Sequence, residues 1–316
     1  MAGREDSLTP YSDLALESPD LGQLEKEAVG VESEEEQHGL ALITRIKILN
    51  QIAASRMQKP PGTYITIETA TLREQSREEQ LKISYLLGLE LERMIRALVG
   101  VREPHFFVVG LGNWRATPDA LGPETVGQLM VTRHLYQETP PELREGLSSV
   151  SALAPGVLGI TGIETGEIIR GIVDHIRPHL VLAIDALAAR STERLSSSIQ
   201  LCDTGVAPGS GLGTRRVSIT QQRMGVPVIA LGVPTVIHAT TIVAESIKRV
   251  MNQDQQYSAL EEKNAASDIL SPFIGQLVVT PKGIDQLIEN LSRVLAGGIN
   301  MALHPDINQD NLADYM

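Results

Sequence analysis

The chain has 316 residues, 39 acidic against 27 basic side chains, a formal charge of −12 and one cysteine. With 42% hydrophobic residues and 27 glycines, it can bury a sizeable core in one large domain or two ordinary ones. The acidic balance excludes a protein that coats nucleic acid or an anionic membrane, since both need a Lys/Arg excess. The single Cys202 excludes an intramolecular disulfide and a thiolate-rich zinc site. The longest apolar runs, such as residues 226–233, are too short to cross a bilayer, and the N-terminus lacks the basic-then-apolar order of a signal peptide. The expectation is a soluble, intracellular, globular protein.

Taken in chain order, residues 1–40 come first and hold eleven acids against two bases, which is −9 of the −12. The segment has few large apolar side chains and ends in Glu32-Ser33-Glu34-Glu35-Glu36. It reads as a solvated acidic arm appended to the folded chain. Phe106-Phe107-Val108-Val109, closed by Gly110 and Gly112, reads as a buried strand. Thr117-Pro118-Asp119 has helix-start chemistry, with a helix expected to run on to Tyr136. A second strand is expected around residues 150–153, and a helix over 161–176 that is stopped by Pro178. Leu180-Val181-Leu182-Ala183-Ile184 gives a third strand with Asp185 at its C-terminal edge, and residues 227–232 a fourth. Residues 191–224 break the pattern: 196–201 and 216–220 read as exposed strands of a β-hairpin insertion around a glycine-rich loop. Residues 282–303 form an amphipathic helix. Apolar strands alternating with helices predict an α/β fold with a mainly parallel sheet flanked by helices.

In such folds, ligands bind at the carboxyl ends of the strands, where Asp119 and Asp185 are expected. Two carboxylates sharing a partly dry site cannot both ionise easily, so one keeps a proton while the other acts as a base toward water. The residues alone equally allow Asp119 to cap a helix and Asp185 to pair with Arg190 or Arg194. Other signals are weaker. Gly110-Leu111-Gly112 opens like a dinucleotide fingerprint, but Arg115 occupies the third glycine position. Asp203-Thr204-Gly205 matches the pepsin-type tripeptide but precedes a Gly/Pro loop and reads as a turn. The seven histidines have no metal-ligand spacing, and Cys202 reads as a small buried hydrophobe. No metal and no cofactor are expected.

The sequence from Val109-Gly-Leu-Gly-Asn-Trp-Arg-Ala-Thr-Pro-Asp119 to Val126 closely resembles the signature of the spore germination protease family. Further matches are Ala154-Pro-Gly-Val-Leu-Gly159, Leu182-Ala-Ile-Asp185-Ala-Leu-Ala-Ala-Arg190, Asp203-Thr-Gly-Val-Ala-Pro-Gly-Ser-Gly-Leu-Gly213, Gly232-Val-Pro-Thr235 and Val278-Val-Thr-Pro-Lys282. They run in order over nearly the whole chain. The resemblance implies an endopeptidase, located in the spore core, that begins the breakdown of small acid-soluble spore proteins during germination. It also implies a fold similar to that of hydrogenase-maturation endopeptidases, a homotetramer, and a zymogen that cleaves itself. Catalysis in the family is assigned to two aspartates, whose motif positions fall on Asp119 and Asp185, with Asp203 as a second choice.

The family cuts after Glu or Asp, before a hydrophobic residue and Ala. That pattern occurs once here, at Asp13-Leu14-Ala15, which implies a propeptide of residues 1–13 and a single peptidase domain over 14–316. Pro10 departs from the acid the family prefers at that position. A metal-dependent peptidase of hydrogenase-maturation type, with both aspartates as ligands, is the alternative; His238 departs from an acidic residue common there and favours that alternative if it reaches the site. A non-catalytic spore protein is the other alternative. An acidic side chain before the cut calls for a planar guanidinium, and Arg115, Arg190, Arg194, Arg215 and Arg216 are the candidates.

Overall fold

The computed structural model describes residues 14–18, 21, 30–74, 76–140, 144, 146–207, 217–251 and 277–316. The strands are β1 (Val31–His38), β2 (Ala41–Ile48), β3 (Gly62–Glu68), β4 (His105–Gly110), β5 (Ser149–Leu153), β6 (Leu180–Ala189), β7 (Ser198–Cys202), β8 (Val228–His238) and β9 (Val278–Val279). The helices are α1 (Gln51–Met57), α2 (Arg77–Leu98), α3 (Leu121–Val126), α4 (Arg133–Glu138), α5 (Leu158–Thr161), α6 (Thr165–Ile176), α7 (Gln221–Met224), α8 (Ala239–Met251) and α9 (Ile284–Leu303).

All the strands join one sheet in the order β1-β2-β3-β7-β8-β6-β4-β5, with β9 beside β8. The expected parallel α/β sheet is present as β5-β4-β6-β8, whose neighbours pair in parallel. The remaining pairs are antiparallel and extend the sheet through β7 to β1. Strands β6 and β4 read as continuous apolar runs because both faces are covered. On one face, α2 and α9 pack over Phe106, Val108, Leu180, Leu182, Ile184 and Ile229. On the other, α6 and α7 cover Phe107, Val109, Val181, Ala183 and Val228. Helix α9 buries Ile288, Leu291, Leu295 and Ile299 along one stripe. Each fully buried side chain of this size contributes about 1.5–3 kcal/mol.

Three sequence expectations change. The acidic run at 31–38 is not a solvated arm but the edge strand β1, paired over its whole length with β2. Its carboxylates face water along a sheet edge, where charge discourages pairing with other chains. Arg45 on β2 ties it down: Nη1 meets Glu36 Oε2 at 2.9 Å while Nε and Nη2 grip the buried Glu90 of α2 at 2.9 and 2.6 Å. The hairpin at 191–224 is also different. Its first strand, β7, is fully buried between β3 and β8, and among the described residues that follow, Val206 and Ile219 form an antiparallel bridge. Burial on both sides recruited β7 into the main sheet. Finally, the helix expected after Thr117 is split into a 3-10 turn (Thr117–Asp119), α3 and α4.

Candidate active site

In the parallel half the chain visits β4, then β5 on one side, then β6 on the other, so the strand order reverses between β4 and β6. At such a reversal the connections leave to opposite faces and open a crevice at the carboxyl ends. Strand β4 ends at Gly110, opposite Ile184 of β6, and the Leu111 N–H still donates to the Ile184 carbonyl at 2.8 Å. Asp185 is therefore not at the tip of its strand, because β6 continues to Ala189 against β8 alone. It sits where β4 gives out, buried to 7% exposure, and its Oδ1 accepts the Ala186 N–H at 2.9 Å.

The loop after β4 returns to this point. The Asn113 N–H donates to both Asp119 Oδ2 at 2.8 Å and the Asp119 carbonyl at 3.1 Å. The Asp119 N–H closes the 3-10 turn on the Ala116 carbonyl at 2.8 Å. Gly112 makes the return possible: its φ is +112°, and a Cβ there would lie 2.0 Å from the Asp119 carbonyl oxygen. The turn packs on β6 and β8 and is pinned to β8 by the Thr235 hydroxyl, which donates to the Pro118 carbonyl at 2.6 Å. The turn that carries Asp119 thus packs on the strand that carries Asp185, 66 positions away in sequence. The glycines of the apparent dinucleotide fingerprint serve this loop.

Asp185 lines a cleft of about 360 Å³, together with Leu187, Gln200, Cys202, Ala230, Gly232, Tyr64 and Lys59. Asp119 is not among its lining residues. Asp185, Gly232 and Gln200 form one row across β6, β8 and β7. With strands ~4.8 Å apart, the outer two backbones are on the order of 10 Å from each other. Gly232 between them has no side chain, and the Leu187 side chain takes that space, its Cγ 2.6 Å from where a Cβ would lie. Burial pushes the Tyr64 phenol and the Cys202 thiol above their ordinary values, so both stay protonated near neutral pH.

The remaining candidates divide. Arg115 is exposed beside Trp114 in the Asp119 loop. Arg190 and Arg194 follow β6 and engage Glu17: the Arg190 N–H donates to Glu17 Oε2 at 2.8 Å, and Arg194 Nη1 lies 3.6 Å from Oε1. Burial works against the Arg194 charge, but Glu68 and Glu17 outweigh it and hold the guanidinium above its usual value. Arg215, Arg216 and Asp13 lie outside the described residues. Leu14 is described, and it is buried at 1% exposure. Asp203 does not itself line the cleft, although its neighbours Cys202 and Thr204 do; its Oδ1 accepts the Thr63 N–H at 2.8 Å and fixes the start of β3. His238 ends β8, six residues beyond the position opposite Asp185, about 20 Å along an extended strand. Among the described residues, no three His, Cys, Asp or Glu side chains are grouped to hold a metal ion. Sequence reading missed Gln200 and Glu17. Gln200 left a trace as a polar residue inside the apolar run Ile199-Gln200-Leu201, whereas Glu17 was hidden among other acids.

The germination protease family model matches residues 12–257 and 255–316. The chain belongs to the germination protease family. A germination protease of Caldanaerobacter subterraneus subsp. tengcongensis is 44% identical over 95% of this chain and 96% of its own length. One from Clostridium acetobutylicum is 43% identical over 87% and 88%, and one from Bacillus thuringiensis subsp. konkukian 37% identical over 98% of both. Among solved structures, the [NiFe] hydrogenase maturation protease HycI from Thermococcus kodakarensis KOD1 aligns with a TM-score of 0.32 and 13% identity, over 66% of this chain and 98% of that one. This family member is thus an endopeptidase by kinship. No helix among its described residues is long and apolar enough to cross a membrane.

Proposed function

We propose that this germination protease is an aspartic-type endopeptidase using Asp119 and Asp185, and that it matures by cutting its own Asp13–Leu14 bond. One water stands between the two carboxyl groups, which share a proton. The ionised member takes a proton from the water as it attacks the peptide carbonyl, and the protonated member assists the carbonyl oxygen or the leaving amine. The substrates are small acid-soluble spore proteins, cut after an acid and before a hydrophobe and Ala. The working form is a homotetramer in the spore core that needs no cofactor.

The observation that carries the reading is where Leu14 and Ala15, the residues after the expected cut, are held. Leu14 and Ala15 are buried at 1% and 0% exposure, and the Ala15 N–H donates to Gln200 Oε1 at 2.7 Å, in the sheet row that also holds Asp185. The segment just after the cut therefore rests beside the crevice. Mass spectrometry of the purified chain before and after mild acid incubation tests the reading. Loss of residues 1–13 is expected in the wild type, and Asp119→Asn and Asp185→Asn should each stay full-length and slow peptide cleavage by about 10²–10⁴-fold. Normal processing by either variant refutes the pair.

A further inference from the structure

Residues 14–17 make contacts more elaborate than an N-terminal segment needs. Beyond Ala15 and Gln200, the Glu17 side chain is only 2% exposed. Its Oε2 accepts the Arg190 N–H at 2.8 Å and its Oε1 the Ser191 N–H at 3.1 Å, with Arg194 Nη1 3.6 Å away. Arg190 Nη1 also donates to the Glu17 carbonyl at 3.3 Å. Burying a carboxylate is costly unless donors meet it, and two backbone N–H groups beside a guanidinium make a receptor selective for one. Of the two anchors, Gln200 lines the same cleft as Asp185. Gln200 is across Gly232 in the same row, and Arg190 is the first residue after β6, five positions on from Asp185.

We propose that Gln200, together with Arg190, Ser191 and Arg194, forms the recognition subsites for the part of a substrate that follows the cut. Residues 14–17 fill them as an intramolecular stand-in, with alanine at Gln200 and a carboxylate in the 190–194 pocket. The assignment rests on Asp13–Leu14 being the bond cut. It makes the enzyme select an acid at the fourth position after the cut, and it makes the chain's own segment a competitor that must leave before substrate enters.

The test uses the full-length chain, its Glu17→Gln variant, and two peptides: one with the sequence of residues 8–20, the other identical except for Gln in place of the residue corresponding to Glu17. Hydrogen exchange at the Ala15, Arg190 and Ser191 amides should quicken about tenfold or more in Glu17→Gln, since hydrogen bonds to a charged group are worth at least that factor. The Glu peptide should restore protection at Arg190 and Ser191, and the Gln peptide should need at least about tenfold more. In cleavage, KM should favour the Glu peptide by a similar factor, and Arg194→Ala should shrink that preference to under about threefold while changing kcat less. Unchanged amides in Glu17→Gln, or equal responses to the two peptides, overturn the proposal. If the amides respond as expected but neither peptide is cut, the carboxylate pocket stands, but the Asp13–Leu14 reading falls and takes with it the assignment of that pocket to the part after the cut.

Discussion

Gly112→Ala isolates how the fold aims Asp119. The glycine sits at φ +112°, and its added Cβ would be 2.0 Å from the Asp119 carbonyl oxygen and 3.1 Å from Oδ1. The nearest obstacle is backbone and cannot rotate away, so the turn must retreat by roughly 1.4 Å or more to reach ordinary contact. The positive φ alone costs a non-glycine residue about 1–3 kcal/mol. Retreat also stretches the paired bonds from the Asn113 N–H to Asp119 O and Oδ2, for a total of roughly 2–4 kcal/mol. A catalytic group misplaced by that distance loses on the order of 10²-fold in rate. Gly283→Ala is the control: its φ is +78°, but nothing lies within 4 Å of the new Cβ. Urea unfolding and peptide cleavage, measured on both variants, separate strain from displacement. If Gly112→Ala cleaves within about threefold of Gly283→Ala, the turn does not set the position of a catalytic Asp119, and the argument fails.

Two further predictions concern stability. Removing the Glu90 carboxylate by Glu90→Ala leaves Arg45, with a side chain only 15% exposed, short of its bidentate partner. The loss should be about 3–5 kcal/mol in chemical denaturation, and a change under about 1 kcal/mol would place this ion pair among weak surface contacts. His304 is buried, with Nε2 on the Met130 carbonyl at 3.0 Å and Nδ1 without a partner. Burial holds its pKa below the ordinary 6.5, against a smaller opposing pull from that carbonyl. The unfolded chain therefore takes up the proton first, and stability is full above pH about 6.5 and falls as pH drops below it toward the lowered folded pKa. Between pH 7 and 5.5, wild type should lose more stability than His304→Gln, with a limit of about 1.4 kcal/mol per pH unit. Equal losses would show that His304 takes no part.

The sequence by itself determined the parallel half of the sheet, because β4, β6 and β8 are buried on both faces and read as unbroken apolar runs whatever surrounds them. It also marked Asp119 and Asp185, since both follow such runs closely. It could not tell that the acidic segment at 31–38 pairs as a strand: its partner β2 supplies the ladder, and the buried Arg45–Glu90 pair that anchors it comes from distant positions. It misjudged β7 for the same reason. Ser198 and Gln200 look exposed locally, yet β3 and β8 close over them from either side. The carboxylate pocket that holds Glu17 is built from backbone N–H groups at Arg190 and Ser191. Every residue has that donor, so only the folded path of the chain could decide where two of them would point at one acid.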